Sequence, residues 1–262
     1  MQNLNRVNSS LVTRTANTLQ VPLPAEFADQ LDAAKRLVET AEAIPGPNLT
    51  ATVLTALAEG RDYHADKHIQ GMLLDAILVR QFNIGAVARE HADISIGEAL
   101  VEYADTILTE WGDALEPHAQ ALAAAAAALP ASLDDTQNII NRGAEAMHHW
   151  AAAQEAIRLW RAGTEGFMAL AMTANLSSAT KRNPLVVTAA DVTALGEAEA
   201  TAMREGRPVD VWILARHQIP LRLATLGDYM ERKAAHEQQR QAAAARYEQE
   251  RMGQRRGRPV SV

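Results

Sequence analysis

Alanine content is the feature that most constrains the fold of this chain, because 52 of its 262 residues are alanine. Alanine has the highest intrinsic helix propensity of all residues, since its side chain loses no rotamer entropy in a helix. Apolar residues recur at helical spacing in several segments, and runs of β-branched residues are scarce. The sequence therefore predicts an all-α fold, an irregular multi-helix bundle with a long protruding C-terminal helix and extended termini.

Several classes of chemistry are excluded by composition and motif. The chain has no cysteine, which removes thiol nucleophiles, cysteine-ligated zinc and iron–sulfur clusters. It has no Gly-x-Ser-x-Gly elbow, no Walker loop and no dinucleotide glycine fingerprint. No stretch of about 18 residues is apolar enough to span a bilayer, and no signal-peptide pattern opens the chain. We therefore expect a non-enzymatic cytoplasmic protein that has no cofactor and no membrane partner.

Three regions differ in composition. Residues 1–20 are rich in Asn, Ser and Thr, and they are expected to form an extended arm. Residues 21–230 are expected to form the helical body, with a sub-boundary near 181–184, where Lys-Arg-Asn-Pro reads as a linker. Residues 231–262 lack an apolar stripe, which predicts a solvent-exposed helix to about Met252 followed by a basic tail.

Prolines and apolar spacing define the elements within the body. A long helix over about 94–129 is expected to kink or split at Glu116-Pro117, because proline removes a helical hydrogen bond. Leu185-Val186-Val187 is the best strand candidate, and 209–214 fits either a second strand or the start of a helix. A further helix is predicted over about 62–82. Its expected buried side consists of Ile69, Met72, Leu73, Ile77 and Val79.

One apolar stripe stands out, with successive spacings of 7, 3, 7, 3 and 7. Spacings of three and seven place side chains on one face, which predicts a long amphipathic central helix. Its large members Trp150, Trp160 and Phe167 are expected to be core or interface anchors, and Gly163 and Gly166 to break the helix near its end. The stripe consists of Ile140, Met147, Trp150, Ile157, Trp160 and Phe167.

His64 and His68 are the candidate metal ligands. On a helix, two histidines at positions i and i+4 share one face, and imidazoles at that spacing can chelate zinc, nickel or copper. A catalytic metalloprotease has Glu directly after the first His, whereas this chain has Ala65. The alternative interpretation is a solvated, polar helix start.

The charge of the chain is unevenly distributed. The formal net charge is −7, yet the segment from Glu231 to Pro259 holds eight Lys/Arg and four Asp/Glu. Within it, Arg256-Gly257-Arg258-Pro259 resembles the core of an AT-hook, a family whose arginines lie in the narrow minor groove of A·T-rich DNA. The resemblance covers four residues and implies DNA contacts by Arg256, Gly257 and Arg258. The adjacent Arg255 is expected to contact DNA with them. The alternatives are a solubilising basic end and a tail that binds an acidic protein surface.

The functional hypothesis follows from the long helices and the opposite charges of body and tail. We expect an interaction or assembly protein whose partners are proteins, including further copies of itself. In organisation it looks broadly like helical assembly factors of phages or other mobile elements, which would place it in the cytoplasm or within an assembled particle. The alternatives are a DNA-associated protein that uses the tail, and a metal-dependent enzyme at His64 and His68.

Overall fold

The computed structural model describes residues 4–44, 48–176 and 183–256, with side chains as far as Glu248. In these ranges the chain forms α-helices and one 3₁₀ turn, and no strand occurs. The all-α prediction is confirmed. The helices are α1 (Leu4–Leu19), α2 (Ala25–Glu42), α3 (Leu49–Ala58), α4 (Lys67–Arg80), α5 (Ile84–Glu102), α6 (Ala104–Ala128), α7 (Thr136–Asn141), α8 (Ala144–Thr173), α9 (Val192–Arg204), α10 (Val211–Arg216) and α11 (Leu226–Arg256), with the 3₁₀ turn at Pro184–Val186.

The chain divides into two compact units. The first takes in Met1–Ser9 and Pro24–Glu102, and the second takes in Ser10–Leu23 and Tyr103–Val262. The division between them falls after Glu102 and not near residues 181–184. The described residues on both sides of that expected sub-boundary belong to the second unit, because α6, α8, α10 and α11 pack on one another.

The first residues form helix α1 and not the expected extended arm. Val12, Thr15 and Ala16 are buried, at the spacing of one helical face. The Thr15 hydroxyl donates a hydrogen bond of 3.2 Å to the carbonyl of Ala162 in the same unit. Small polar side chains thus serve as packing residues in α1. Composition alone predicted a solvated segment because it takes polar residues to be exposed.

In the first unit, α2 lies against α5. Phe27, Ala34 and Ala41, spaced seven apart, form the buried face of α2. Asn5 belongs to the same unit and donates a hydrogen bond of 3.0 Å to the carbonyl of Asp93 in α5. Its amide lies directly over Gly97, where a Cβ would come 3.0 Å from Asn5 Cγ. A small residue at position 97 is what admits the Asn5 side chain.

The second unit is centred on the antiparallel neighbours α6 and α8. Helix α6 runs without a break through Pro117, so the expected split at Glu116-Pro117 is wrong. Leu115 and Leu122, on either side of the proline, are both fully buried. Their packing keeps the helix continuous where the proline removes one backbone donor.

Only the second half of the predicted apolar stripe is buried. Trp160 and Phe167 are fully buried in α8, whereas Trp150 is half-buried and donates its indole N–H to the carbonyl of Leu133 at 2.9 Å. Ile140 lies in α7, outside the helix, and is exposed, as is Met147. The face that α8 buries along its first half is made of Ala146, Ala153 and Ala156.

Neither strand candidate forms a strand. Asn183 accepts the N–H of Leu185 at 3.0 Å, and Pro184 opens the 3₁₀ turn that replaces the first one. At 209–214 the helical alternative is confirmed, because Asp210 accepts the N–H of Ile213 at 2.9 Å and caps α10. An acceptor side chain that binds the first free N–H groups favours a helical turn over a ladder.

Helix α11 is held at its base and exposed along its length. Arg232 donates hydrogen bonds to the carbonyls of Leu185 at 3.1 Å and Arg222 at 3.0 Å. Burial lowers the pKa of Arg232 below its ordinary value, although an arginine remains protonated in proteins. Residues 237–248 are all exposed, which agrees with the expected protruding helix. The helix ends at Arg256, beyond the predicted Met252.

Candidate interaction surface

Helices α3 and α4 of the first unit are apolar but scarcely buried. Between residues 48 and 87 only Ala56 and Ile69 are buried. Of the expected buried side of α4, Met72, Ile77 and Val79 are half-buried and Leu73 is exposed, so that prediction is wrong apart from Ile69. The most exposed leucines are Leu54 at 60 %, Leu74 at 57 %, Leu57 at 53 % and Leu73 at 48 %.

Local sequence explains why this segment forms two short helices. Asn48 accepts the N–H of Ala51 at 3.4 Å and caps α3, which ends before Gly60 in the left-handed conformation, at φ +68°. Asp66 accepts the N–H groups of His68 at 2.9 Å and Ile69 at 3.3 Å, and so fixes the start of α4. The ends of each helix are therefore fixed by local capping residues and not by packing against the rest of the chain.

Arg61 ties the connection between the two helices together. Its guanidinium lies 2.7 Å from Glu59 and 2.8 Å from Asp66. The hydrogen bond that Arg61 donates to the Glu59 carboxylate, followed by the charge of that carboxylate, raises the pKa of Arg61 above its ordinary value. The cation thus joins the end of α3 to the cap of α4 across a solvated turn.

A groove of about 300 Å³ separates α3 from α4. Leu49 and Val53 line one wall, and Ile69 and Leu73 line the other. Tyr63 and His64 close one side from the connecting turn, and their rings lie 4.0 Å apart, tilted by 34°. We refer to this groove and the exposed Leu54, Leu57 and Leu74 on the same two helices as the α3–α4 surface.

Charge is sparse on the α3–α4 surface. Helix α3 contains no ionisable residue, and α4 contains only Lys67 in its first turn, His68, Asp75 and Arg80 at its end. A surface of leucine, valine and threonine has no means of neutralising phosphate and little to repel an identical surface. Its chemistry suits burial against another apolar helical face.

The structure does not support the proposed pairing of His64 and His68. His64 lies in the turn before α4, which begins at Lys67, so the two residues do not share a helical face. His64 lines the groove beside Tyr63, while the backbone of His68 is held by the Asp66 cap. In the described ranges no group of three His, Asp or Glu side chains is placed to hold a metal ion.

The proposed DNA-binding residues fall at the edge of the described chain. Arg255 and Arg256 form the last residues of α11, and their side chains lie outside the described residues. Gly257 and Arg258 lie outside them altogether.

Sequence reasoning missed the α3–α4 surface, although a signal for it was present. The segment Leu49–Ala58 reads LTATVLTALA, a helix without a charged face, and such a helix is either buried or covered by a partner.

Of the helices in the described ranges, none alone has the length and apolarity to cross a bilayer. Helices α4 and α5 meet both requirements only when they are taken together, and the pair is bent by 59°. No known family model, curated protein or solved structure matches this chain.

Proposed function

We propose that this protein is a non-enzymatic assembly protein that associates with further copies of itself through the α3–α4 surface. The observation that supports it best is the burial of a single residue in each of these helices, despite their apolar sequences. Isolated helices of this length are marginal in water even when their sequence favours helix. A partner that covers both would supply the burial that the chain itself does not.

The energetics of such a contact are favourable. Removing a leucine side chain from water contributes about 1.5–3 kcal/mol, and at least four leucines are available on the α3–α4 surface. Association must offset lost translational and rotational freedom of roughly 4–15 kcal/mol. Because these leucines are only 48–60 % exposed, each contributes less than that full value, so several leucines from each of two copies are needed to offset this cost and a single one is not enough.

A second copy of the chain is the partner that the chemistry favours. In a two-fold symmetric contact the same surface meets itself, which is unfavourable when that surface carries net charge. The α3–α4 surface is nearly free of charge, while the chain as a whole carries −7. Two copies that pair through the α3–α4 surface therefore meet where the electrostatic repulsion between them is weakest.

The wider setting of such an assembly remains a proposal from organisation alone. Long helices and a protruding basic end suit an assembly factor of a phage or another mobile element. Genes for capsid or terminase proteins beside the gene for this chain would support that setting. A neighbourhood of unrelated metabolic genes would argue against it, without bearing on self-association.

Sedimentation velocity of the full chain over a range of concentrations tests the proposal. We expect the wild type to exceed the monomer mass, and the double variant Leu54→Glu/Leu73→Glu to sediment as a monomer with unchanged helical content. Met203→Glu is the matched control, because Met203 is 82 % exposed on α9 of the other unit. It should assemble like the wild type.

Two outcomes of that experiment would overturn self-association through this surface. One is a wild type that stays monomeric at its highest soluble concentration. The other is a double variant that keeps the wild-type mass. Tail-mediated DNA association is separated by titrating an A·T-rich duplex at rising salt, because phosphate contacts weaken steeply with salt whereas apolar pairing does not.

A further inference from the structure

The second unit contains a cleft that the proposed assembly does not use. It lies between α8 and the segments 183–187 and 208–214, and its volume is about 330 Å³. Its walls are mainly apolar, which is typical of pockets that bind small molecules. The apolar wall residues include Ile157, Trp160, Val187, Val209, Val211 and Leu214.

The acceptor groups that line the cleft already have partners. Glu165 lies 3.8 Å from the guanidinium of Arg14, and Asp210 pairs with Arg207 while it caps α10. The side-chain oxygen of Asn183 accepts the N–H of Leu185, and its amide donates to the Tyr229 hydroxyl at 2.9 Å. The two carboxylates are therefore compensated, and neither requires a cation from a ligand.

Two donors of the cleft have no such partner. The indole N–H of Trp160 is buried and makes no hydrogen bond within the described part of the chain, and Trp160 is only 1 % exposed. The corresponding groups of Trp150 and Trp212 each reach a carbonyl at 2.9 Å. Buried polar groups in native proteins are nearly always hydrogen-bonded, and the indole N–H of Trp160 is a donor that no acceptor of the described residues uses.

Arg161 is the second of these donors. It follows Trp160 on α8, is exposed, and forms no ion pair or hydrogen bond with the described residues. Arg158, one turn earlier on the same helix, binds Glu155 at 2.6 Å instead. The cleft thus combines an apolar interior with one uncompensated cation and one uncompensated neutral donor.

We propose that this cleft binds a small amphipathic carboxylate. The apolar body of the ligand lies against the valine and leucine walls, which removes it from water. Its carboxylate accepts hydrogen bonds from Arg161 and, with a small shift of the Trp160 ring, from the indole N–H. A cationic head group would instead meet two free donors and carboxylates that are already paired.

Isothermal titration of the full chain with decanoate, below its micelle concentration, tests this site. We expect saturable binding that weakens about tenfold or more in Arg161→Gln and in Trp160→Phe, which keeps an aromatic ring and removes the N–H. Arg158→Gln is the matched control on α8 and should bind like the wild type. Decyltrimethylammonium has a chain of the same length with a cationic head group, and it should bind far more weakly.

Several results would refute the carboxylate site. They are the absence of saturable binding to the wild type, wild-type affinity in Arg161→Gln, and equal affinity for the cationic probe. Trp160→Phe alters a buried position and is interpreted only where its circular dichroism matches the wild type. Arg161 is exposed, so its variant keeps the proposal open to refutation even if the Trp160 variant fails to fold. None of these outcomes depends on self-association.

Discussion

The indole ring of Trp111 occupies the space that a side chain at position 166 would need. A Cβ on Gly166 would lie 2.7 Å from Trp111 Cη2 and 2.9 Å from Thr15 Cγ2. One turn earlier, a Cβ on Gly163 would lie 2.8 Å from Leu115 Cδ1. The two glycines were expected to break α8, and that prediction is wrong. They stay helical and let large side chains of α6 approach the α8 backbone.

Gly166→Ala is therefore expected to destabilise the protein, although alanine is the better helix former. Overpacking of a tight core costs about 1–3 kcal/mol, which exceeds the helix-propensity gain of up to about 1 kcal/mol. Urea denaturation followed by circular dichroism measures the difference. Gly196→Ala on α9 is the control, because no atom lies within 4 Å of its added Cβ. That variant should gain stability, and equal behaviour of the two would refute the packing argument.

Phe167 and Trp150 are expected to respond differently to truncation. Phe167 is fully buried and meets the ring of Tyr229 edge-on, with centroids 5.5 Å apart, so Phe167→Ala should cost about 3–5 kcal/mol. Trp150→Phe keeps most of the half-buried ring and loses the hydrogen bond to Leu133, which costs about 1 kcal/mol. Chemical denaturation ranks them. If Trp150→Phe lost more unfolding free energy than Phe167→Ala, the core would lie at the N-terminal end of α8.

Helix caps were the part of the fold best predicted from sequence. The residue types alone identify Asn48 as the cap of α3 and Gly60 as the residue that closes it, because short-range hydrogen bonds and glycine backbone freedom act within a few residues. Pro117 and Gly166 were misjudged for the opposite reason. Whether a proline or glycine ends a helix depends on what packs against it, and that partner is distant in sequence.

The α3–α4 surface could not be predicted from apolar spacing alone. Ile69, Met72 and Leu73 recur as a buried face would, and spacing does not tell whether a face meets its own chain or a partner. The cleft beside Trp160 depends on segments from three parts of the sequence, so no local pattern identifies it. The two histidines were paired on the assumption of one helix, which the Asp66 cap excludes.

Asp66→Ala is expected to loosen the start of α4. The substitution removes the acceptor of two backbone N–H groups and the partner of Arg61, and losing such a cap costs about 0.5–2 kcal/mol. Amide hydrogen exchange at His68 and Ile69 should become faster. Asp75→Ala in the same helix is the control, and unchanged exchange in Asp66→Ala would show that α4 does not depend on its cap.

Arg232→Met should destabilise the attachment of α11. Methionine keeps an apolar stem but leaves the carbonyls of Leu185 and Arg222 without their donor, at a cost of about 1–3 kcal/mol. Arg240→Met, at an exposed position of the same helix, should have little effect. Thermal melts of both variants check this, and equal melting temperatures would show that other contacts hold the base of α11.

Removing residues 253–262 should leave the body of the protein intact. Residues 237–248 of α11, which precede the truncation, are all exposed, so this part of the helix has no buried face. Exposed termini contribute little to folding, and the free energy of unfolding should change by less than about 1 kcal/mol. If the AT-hook resemblance describes a binding function, the same truncation removes binding to A·T-rich DNA while Leu54→Glu/Leu73→Glu retains it. A truncated chain that fails to fold would instead show that the last ten residues pack on the body, which contradicts both the AT-hook interpretation and the expectation of a solvated basic end.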